Sequence, residues 1–176
     1  MIATLDLPAV LPIVLPAAAD PVVLRRATPA DLEAIMRLLS DDAVSAARGD
    51  VAADSDTGAY AAALAEIVDD PANELVVAED AAGLVVATMQ LTRIPGMSRR
   101  GSCRLLVEAV RVSSTLRSGG IGSAMMRWTT DVAAPAVGAT LVQLTSDEAR
   151  TDAHRFYERL GFVGSHRGFK YAVAPN

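Results

Sequence analysis

The chain has 176 residues, 51% of them hydrophobic, and a formal net charge of −5. This length predicts one domain with a buried core, and the apolar content excludes intrinsic disorder. The negative charge excludes nucleic acid as a bulk partner. The single cysteine, Cys103, excludes an internal disulfide. We expect it to be buried on a strand, in a protein of a reducing, cytoplasmic compartment.

Residues 1–21 form an apolar, proline-rich extension that precedes a single domain over residues 22–176. Asp6, and the lack of a basic residue before Arg25, argue against a signal peptide. Three prolines exclude a membrane-spanning helix, because each would break it. We expect an extended tail packed on its own domain or on a second subunit, with a disordered or cloning-derived tail as the alternative.

The first part of the domain begins with a predicted strand over Val22–Arg26. A helix follows, with Thr28 as its N-cap and Asp31 as the capping-box partner. The next stretch, residues 41–56, is polar and rich in aspartate. A second helix comes after it and ends before Pro71.

The remaining predicted strands are Glu74–Glu79, Leu84–Ile94, Ser102–Val112 and Leu141–Thr145, with a hairpin over Phe162–Val173. Helical spacing runs from Ile121 to Val132, and another helix is expected over residues 151–160. This order predicts an α/β fold of the α+β type. Its mixed, mostly antiparallel central sheet would have about seven strands, with helices on both faces.

A glycine-rich turn between a strand and a helix carries the strongest chemical signal. It reads R-S-G-G-I-G-S from Arg117 to Ser123. The first turn of a helix leaves amide N–H groups unpaired, and the helix dipole adds positive partial charge there. Arg117 adds a full charge, so the turn predicts a phosphate or pyrophosphate site. Neither a P-loop nor a Rossmann fingerprint is present, and a plain glycine-rich turn is the alternative.

Two motifs together resemble the GNAT superfamily of N-acetyltransferases. The turn fits the family pattern Arg/Gln-x-x-Gly-x-Gly/Ala. Residues 149–162, which read A-R-T-D-A-H-R-F-Y-E-R-L-G-F, fit its second signature, Ala-x-x-Φ-Tyr-x-x-Φ-Gly-Phe. The resemblance covers about residues 22–174 and implies acetyl-CoA as the acyl donor, with a central sheet that splays in the middle.

The resemblance also implies which residues bind acetyl-CoA. The loop amides hold the pyrophosphate, and the pantetheine arm bonds like an extra strand to the strand before the loop. The implied contacts are Val110, Arg111, Val112, Arg117, Ser118, Gly119, Gly120, Ile121, Gly122, Ser123, Arg150, Ala153 and Phe156. Arg150 departs from the family pattern, because many members have asparagine there.

Tyr157 has two interpretations. With Gly161 at C′ and Phe162 at C″, Tyr157 is the C3 residue of a Schellman motif and contacts Phe162. This spacing favours an ordinary core aromatic. The resemblance instead implies that Tyr157 protonates the leaving thiolate, and a phenol with a pKa of about 10 suits that role.

Glu108 is the candidate base that takes the proton of the attacking amine. It lies in the apolar run L-L-V-E-A-V-R-V, where burial would raise the pKa of its carboxyl group. The alternative is a glutamate paired with Arg104 or Arg111 on an exposed sheet face.

The two histidines do not form a metal site with any cysteine or carboxylate cluster. His154 is expected on a solvated helix surface. His166 lies in a turn that, in this fold, can border the acceptor pocket. We therefore expect no metal.

The sequence predicts an N-acetyltransferase that moves an acetyl group from acetyl-CoA to a primary amine by direct attack in a ternary complex. The Asp-rich segment suggests a small, cationic acceptor. A polyamine, an aminoglycoside, an amino-acid derivative and a protein terminus all stay open. A non-catalytic acyl-CoA-binding sensor or interaction module on the same fold is the alternative. We expect a homodimer, no nucleic acid and no membrane partner.

Overall fold

The computed structural model describes residues 13–17 and 20–173. Most of the predicted N-terminal extension, residues 1–12 and 18–19, therefore lies outside the described residues, as do residues 174–176. The chain divides after Leu144 into two compact units.

A six-stranded sheet forms the centre of the first unit. Its strands are β1 (Ile13–Leu15), β2 (Val22–Arg26), β3 (Asn73–Glu79), β4 (Val85–Pro95), β5 (Cys103–Val112) and β6 (Ala139–Leu144). They lie side by side in sequence order. All neighbours are antiparallel except β5 and β6, which are parallel. The predicted mixed, mostly antiparallel sheet is confirmed, with six strands instead of about seven.

The helices are α1 (Leu32–Ser40), α2 (Ala43–Ala46), α3 (Thr57–Asp69), the single turn α4 (Ser98–Gly101), α5 (Ile121–Trp128), α6 (Ala134–Ala136) and, in the second unit, α7 (Thr151–Arg159). A π-helical turn over Thr129–Ala133 joins α5 to α6. Pro135 accounts for this wider turn, because in a regular helix its ring would clash with the carbonyl of Asp131. None of the helices in the described parts of the chain combines the length and apolarity that crossing a membrane requires.

The predicted capping by Thr28 is confirmed, and it begins a short 3₁₀ turn, Pro29–Asp31, that leads directly into α1. The carboxylate of Asp31 accepts the N–H of Thr28 at 2.7 Å, and the N–H of Asp31 donates to the Thr28 carbonyl at 2.9 Å. Arg25 donates to both carboxylate oxygens of Asp31 at 2.8 and 2.7 Å. These bonds to Arg25, with those to Thr28, lower the pKa of Asp31 to about 2. Local capping and one ion pair therefore fix where α1 begins.

Helices cover both faces of the sheet, as predicted. On one face α1 and α3 enclose a buried cluster of Ala27, Ile35, Leu64, Leu75 and Val77. Successive strand residues point to opposite faces, so Val76 and its partner Met89 lie on the other face. There the Thr129 hydroxyl, just beyond α5, donates to the Met89 sulfur at 3.6 Å. We call these the α1–α3 face and the α5 face.

Part of the N-terminal extension belongs to the sheet. Ile13–Leu15 pairs antiparallel with β2, and Leu15 is buried. Packing on its own domain is thus observed for this short piece of the tail.

The hairpin predicted over Phe162–Val173 is wrong. No strand occurs in these residues, and the larger apolar side chains among them, such as Phe169 and Tyr171, are exposed. Alternating apolar residues predict a strand only where a neighbouring strand is available to pair with them. This segment has none among the described residues. The loss of these two predicted strands and the gain of β1 give six strands instead of seven.

Candidate functional site

A β-bulge interrupts β5 where the predicted general base lies. Gln90 of β4 pairs with Glu108, and Thr88 pairs with Arg111. Two steps along β4 therefore match three steps along β5. The extra residue lies between Glu108 and Arg111. In this stretch Ala109 has a φ of 50°, in the left-handed region that favours glycine. Such a bulge bends the strand and re-aims the side chains that follow it.

The two strands β5 and β6 separate immediately before the bulge. β6 pairs with β5 only from Cys103 to Val107. From Glu108 to Val112, β5 pairs with β4 alone, so no described strand occupies its other edge. The predicted cofactor residues Val110, Arg111 and Val112 lie on this open edge and are half-buried. An extended amide chain added there would satisfy their backbone groups.

The glycine-rich turn leads from this open edge into α5. Ser118 has a φ of 69°, and Gly120, the N-cap of α5, has a φ of 86°. The first bond of the helix runs from the N–H of Ala124 to the Gly120 carbonyl at 2.9 Å. The amides of Ile121, Gly122 and Ser123 precede that bond, so helix geometry leaves them available to an anion.

The Arg117 guanidinium is tied to the C-terminal end of α1. It donates to the Asp41 carbonyl at 2.5 Å and to the Val112 carbonyl at 3.3 Å. The Asp41 carboxylate accepts the backbone N–H of Ser114 at 2.6 Å, and this bond lowers its pKa. Two bonds therefore join the helix end to the glycine-rich turn. Sequence reasoning missed Asp41, because nothing in an Asp-rich segment distinguishes one aspartate from the next.

Arg111 makes a second connection to the same region. It donates to the hydroxyl of Ser45 in α2 at 2.5 Å and to the Val110 carbonyl at 2.8 Å. Ser45 is buried, and its own N–H donates to the Asp42 carboxylate at 2.9 Å. The side chain of Arg111 thus fastens α2 to β5, a role that its sequence position did not indicate.

Glu108 lies on the α1–α3 face but is exposed, so the expected burial is wrong. Directly opposed residues of antiparallel strands project to the same face, and Gln90, opposite Glu108, lies on that face with Leu75. No ion pair joins Glu108 to Arg104 or Arg111 among the described residues. The apolar run around Glu108 suggested burial because the bulge and the missing β6 partner are not visible in the sequence.

A cavity of about 90 Å³ lies on the α1–α3 face. Residues of α1, α3, β3, β4 and β5 line it, among them Gln90 and Ala109. At its side, the Tyr60 hydroxyl donates to the Asp50 carboxylate at 2.6 Å. This bond, with burial and the charges of Asp50 and Asp56, raises the pKa of Tyr60 to about 12.

In the second unit, the predicted end of α7 is confirmed. The N–H of Phe162 donates to the Tyr157 carbonyl at 3.1 Å, and that of Gly161 donates to the Glu158 carbonyl at 3.0 Å. The rings of Tyr157 and Phe162 pack edge to face, with centroids 5.9 Å apart. Phe156 packs on the other side of Tyr157 at 5.1 Å. Tyr157 is half-buried and held by these contacts.

The remaining predicted residues fall as follows. Cys103 is buried, as expected. Arg150 is the N-cap of α7, and its carbonyl accepts the N–H of His154 at 3.0 Å. His154 is half-buried and bonds the Asp147 carbonyl at 2.8 Å, so its expected solvated position is wrong. The bend of the chain before α7 brings that carbonyl to the imidazole. Within the described ranges, His, Cys, Asp and Glu form no group of three that could hold a metal.

Comparisons with known proteins agree with this geometry. The sequence profile of the Acetyltransferase (GNAT) family matches residues 32–162. An aminoalkylphosphonate N-acetyltransferase from Salmonella typhimurium is 37% identical over 67 residues, which are 38% of this chain and 43% of that protein. The match therefore spans less than half of that relative.

Solved structures share the fold. A transcriptional regulator from Bacillus halodurans C-125 is 39% identical, with a TM-score of 0.81 over 86% of this chain and 99% of that one. An acetyltransferase from Trypanosoma brucei, 24% identical, superimposes with a TM-score of 0.68 over 86% and 99% of the two chains, a likeness of fold. Open strand edge, glycine-rich helix start and family profile agree, and the chain belongs to the acetyltransferase (GNAT) family.

Proposed function

We propose that the chain is an N-acetyltransferase that transfers the acetyl group of acetyl-CoA to a primary amine by direct attack in a ternary complex. The observation that carries the proposal is the open edge of β5 beyond Val107, which leads directly into the glycine-rich turn. Family membership and the partial likeness to an aminoalkylphosphonate N-acetyltransferase support it.

The chain's own residues fit the donor. Bound acetyl-CoA would supply the acetyl group as a thioester. The backbone of Val110–Val112 would hold the extended arm on the open edge of β5, and the amides of Ile121, Gly122 and Ser123 would hold the pyrophosphate. Gly120, at a φ of 86°, leaves the approach to these amides free of a side chain. Ser118 and Gly119 complete the turn.

Glu108 is the proposed base. The amine nitrogen forms a bond to the acetyl carbon, the carbon–sulfur bond breaks, and the proton lost by the nitrogen passes to the Glu108 carboxylate. Its exposure allows this transfer to run directly or through one water molecule. Its position beside Ala109 places the carboxylate at the bulge, on the α1–α3 face.

Tyr157 is the proposed acid, which gives its phenolic proton to the sulfur of the departing thiolate. Arg150, Ala153 and Phe156 on the same helix are proposed cofactor contacts. These roles rest on the family motif. Tyr157→Phe keeps the ring that packs on Phe162, so we expect intact folding and a kcat lower by about 10²-fold. Tyr171→Phe, at an exposed position, is the matched control, and equal rates in both variants would assign Tyr157 to packing alone.

The proposed function is tested by two measurements on the purified chain. Calorimetry should detect acetyl-CoA binding, and a panel of amines should give CoA release that depends on the amine. If acetyl-CoA binds but no amine leads to CoA release, the chain is a non-catalytic sensor and not an enzyme. No binding would overturn both. The cytoplasmic location, the homodimer and the lack of nucleic-acid and membrane partners stay predictions.

A further inference from the structure

We infer that the cavity on the α1–α3 face receives the uncharged, apolar part of the acceptor, so that the substrate is a primary amine carrying a compact hydrocarbon group. This inference rests on the proposed function and names its substrate class. The cavity lies between Met36 and Leu39 of α1, Tyr60 and Ala63 of α3, and Gln90 and Ala109 of the sheet. None of the described residues that line it is charged.

The position of the cavity connects it with the proposed chemistry. Ala109, the left-handed residue of the bulge, forms part of its wall and lies within the open part of β5. Gln90, another wall residue, is paired with Glu108. Glu108 therefore projects on the same sheet face as the cavity. A ligand held in the cavity would have its amino group beside the bulge, within the reach of that carboxylate.

Each polar side chain in the wall donates a hydrogen bond to another group of the protein. Tyr60 donates to Asp50 at 2.6 Å, Gln90 donates to Asn73 at 2.9 Å, and Thr88 donates to the Val76 carbonyl at 3.0 Å. The remaining wall residues are aliphatic or methionine. Such a cavity is poorly hydrated and gains most from hydrocarbon.

None of the carboxylates of the Asp-rich segment lines the cavity, and three of them bond to the protein itself. Asp41 accepts the N–H of Ser114, Asp42 accepts the N–H of Ser45, and Asp50 accepts the Tyr60 hydroxyl. Each of these oxygens is engaged by the protein itself. Part of the segment that suggested a cationic acceptor in the sequence thus holds neighbouring elements of the protein together.

The volume limits the size of the hydrocarbon group. An apolar cavity of about 150 Å³ binds benzene, which has six carbons, so a cavity of about 90 Å³ corresponds to a group of three to four carbons. Burying each methylene should improve kcat/KM by about fourfold until the cavity is full. Ala63 is exposed and lines the cavity, which makes it a residue of the entrance.

The test compares straight-chain amines from ethylamine to hexylamine with 1,4-diaminobutane, in the wild type and two leucine variants. Ala63→Leu narrows the entrance. Ala62→Leu adds the same side chain one residue earlier on α3, at an exposed position outside the wall. We expect kcat/KM to rise up to butylamine and then level off, with 1,4-diaminobutane the poorest. Ala63→Leu should lower the value for butylamine at least tenfold, with acetyl-CoA affinity unchanged, and Ala62→Leu should match the wild type.

A binding measurement separates this inference from the proposed function. With methyl-labelled methionine, butylamine should shift the NMR signal of Met36, which lines the cavity, and leave that of Met126, buried outside the cavity wall, unchanged. A shift of Met36 without turnover of any amine would overturn the proposed enzyme and keep the cavity as an apolar amine site. Three outcomes would overturn this inference and leave the proposed function standing. They are a kcat/KM that does not depend on chain length, equal effects of Ala63→Leu and Ala62→Leu, and no shift of the Met36 signal.

Discussion

The two halves of β5 differ more than any sequence pattern would suggest. From Cys103 to Val107 the strand has a partner on each edge, and Cys103, Leu105 and Val107 are buried. From Glu108 to Val112 it has a partner on one edge only, and none of its residues is buried. The bulge, with its one extra residue, lies at the start of the open half.

This difference shows how a single strand supplies both core and site. The closed half contributes buried side chains, and the open half contributes backbone groups that a ligand can satisfy. The comparison makes a general expectation. Changes in or after the open half should affect binding and catalysis, whereas changes in the closed half should affect the free energy of unfolding.

The largest expected effect follows from a charge placed where the open half ends. Gly120→Asp puts a carboxylate at the N-terminus of α5, beside the amides proposed to hold the pyrophosphate. Acetyl-CoA affinity should fall by at least about 10²-fold, because two anions would compete for one site. Calorimetry measures the loss.

The matched control for that variant is Gly120→Asn. Aspartate and asparagine have the same shape, and both tolerate the left-handed backbone at φ 86°. Asn should therefore retain most of the affinity. Equal affinity in the aspartate variant and the wild type would show that this turn does not bind the donor.

Glu108→Gln is expected to lower kcat/KM by about 10²-fold, because the amide cannot accept the proton of the amine. The loss should be largest at low pH, where the amine is protonated, and high pH should restore part of the rate by supplying free amine. Glu66→Gln, at an exposed site on α3, should behave as the wild type. A pH profile shared by both variants would leave proton removal to solvent.

Two valines compare the halves directly in stability. Val107 is 1% exposed. Val107→Ala should lower the free energy of unfolding by about 2 kcal/mol, since it leaves a cavity on the α5 face of the sheet. Val110 is half-buried, so Val110→Ala should cost less than about 1 kcal/mol. Urea unfolding measures both. Equal losses would mean that the open half is packed as tightly as the closed one.

The smallest effect concerns the bulge itself. A left-handed backbone costs an L-residue about 1–2 kcal/mol, and glycine avoids this cost. Part of the gain is lost because glycine has more conformational freedom in the unfolded chain. Ala109→Gly should therefore stabilise the protein by up to about 1 kcal/mol. Ala139→Gly, on β6 at a residue without left-handed backbone, should destabilise it. A rise in the melting temperature for the first variant and a fall for the second is the expected result.

The parts of the fold that depend on local chemistry could be predicted from the sequence. Thr28 and Asp31 fix a helix start through bonds three residues apart, and Gly161 with Phe162 fixes a helix end in the same way. The apolar and β-branched residues of β3 and β4 predict strands, and each of these strands has a neighbour to pair with. In these cases the interactions that determine the local structure are made by residues close together in the sequence or by a neighbouring strand.

The parts that depend on distant partners could not be predicted. Alanine carries no signal for a left-handed bulge, so the turn at Ala109 was not foreseen, and the sequence offered the exposure of Glu108 only as the alternative to burial. The segment Phe162–Val173 has a strand-like sequence but no described partner. Asp41 and Ser114 are far apart in the chain, and their bond follows from the packing of α1 beside the glycine-rich turn.

The bond between Asp41 and Ser114 connects α1 with both proposed ligand sites, the cavity and the glycine-rich turn. The helix lines the cavity through Met36 and Leu39, and its C-cap, Asp41, is fastened to the turn ahead of α5. A ligand that moved this segment would therefore also act on the cavity wall. Thermodynamic reciprocity then applies: whatever factor one ligand contributes to the affinity of the other is returned unchanged. We therefore expect the affinities of the proposed donor and the proposed amine to be coupled through this one helix end.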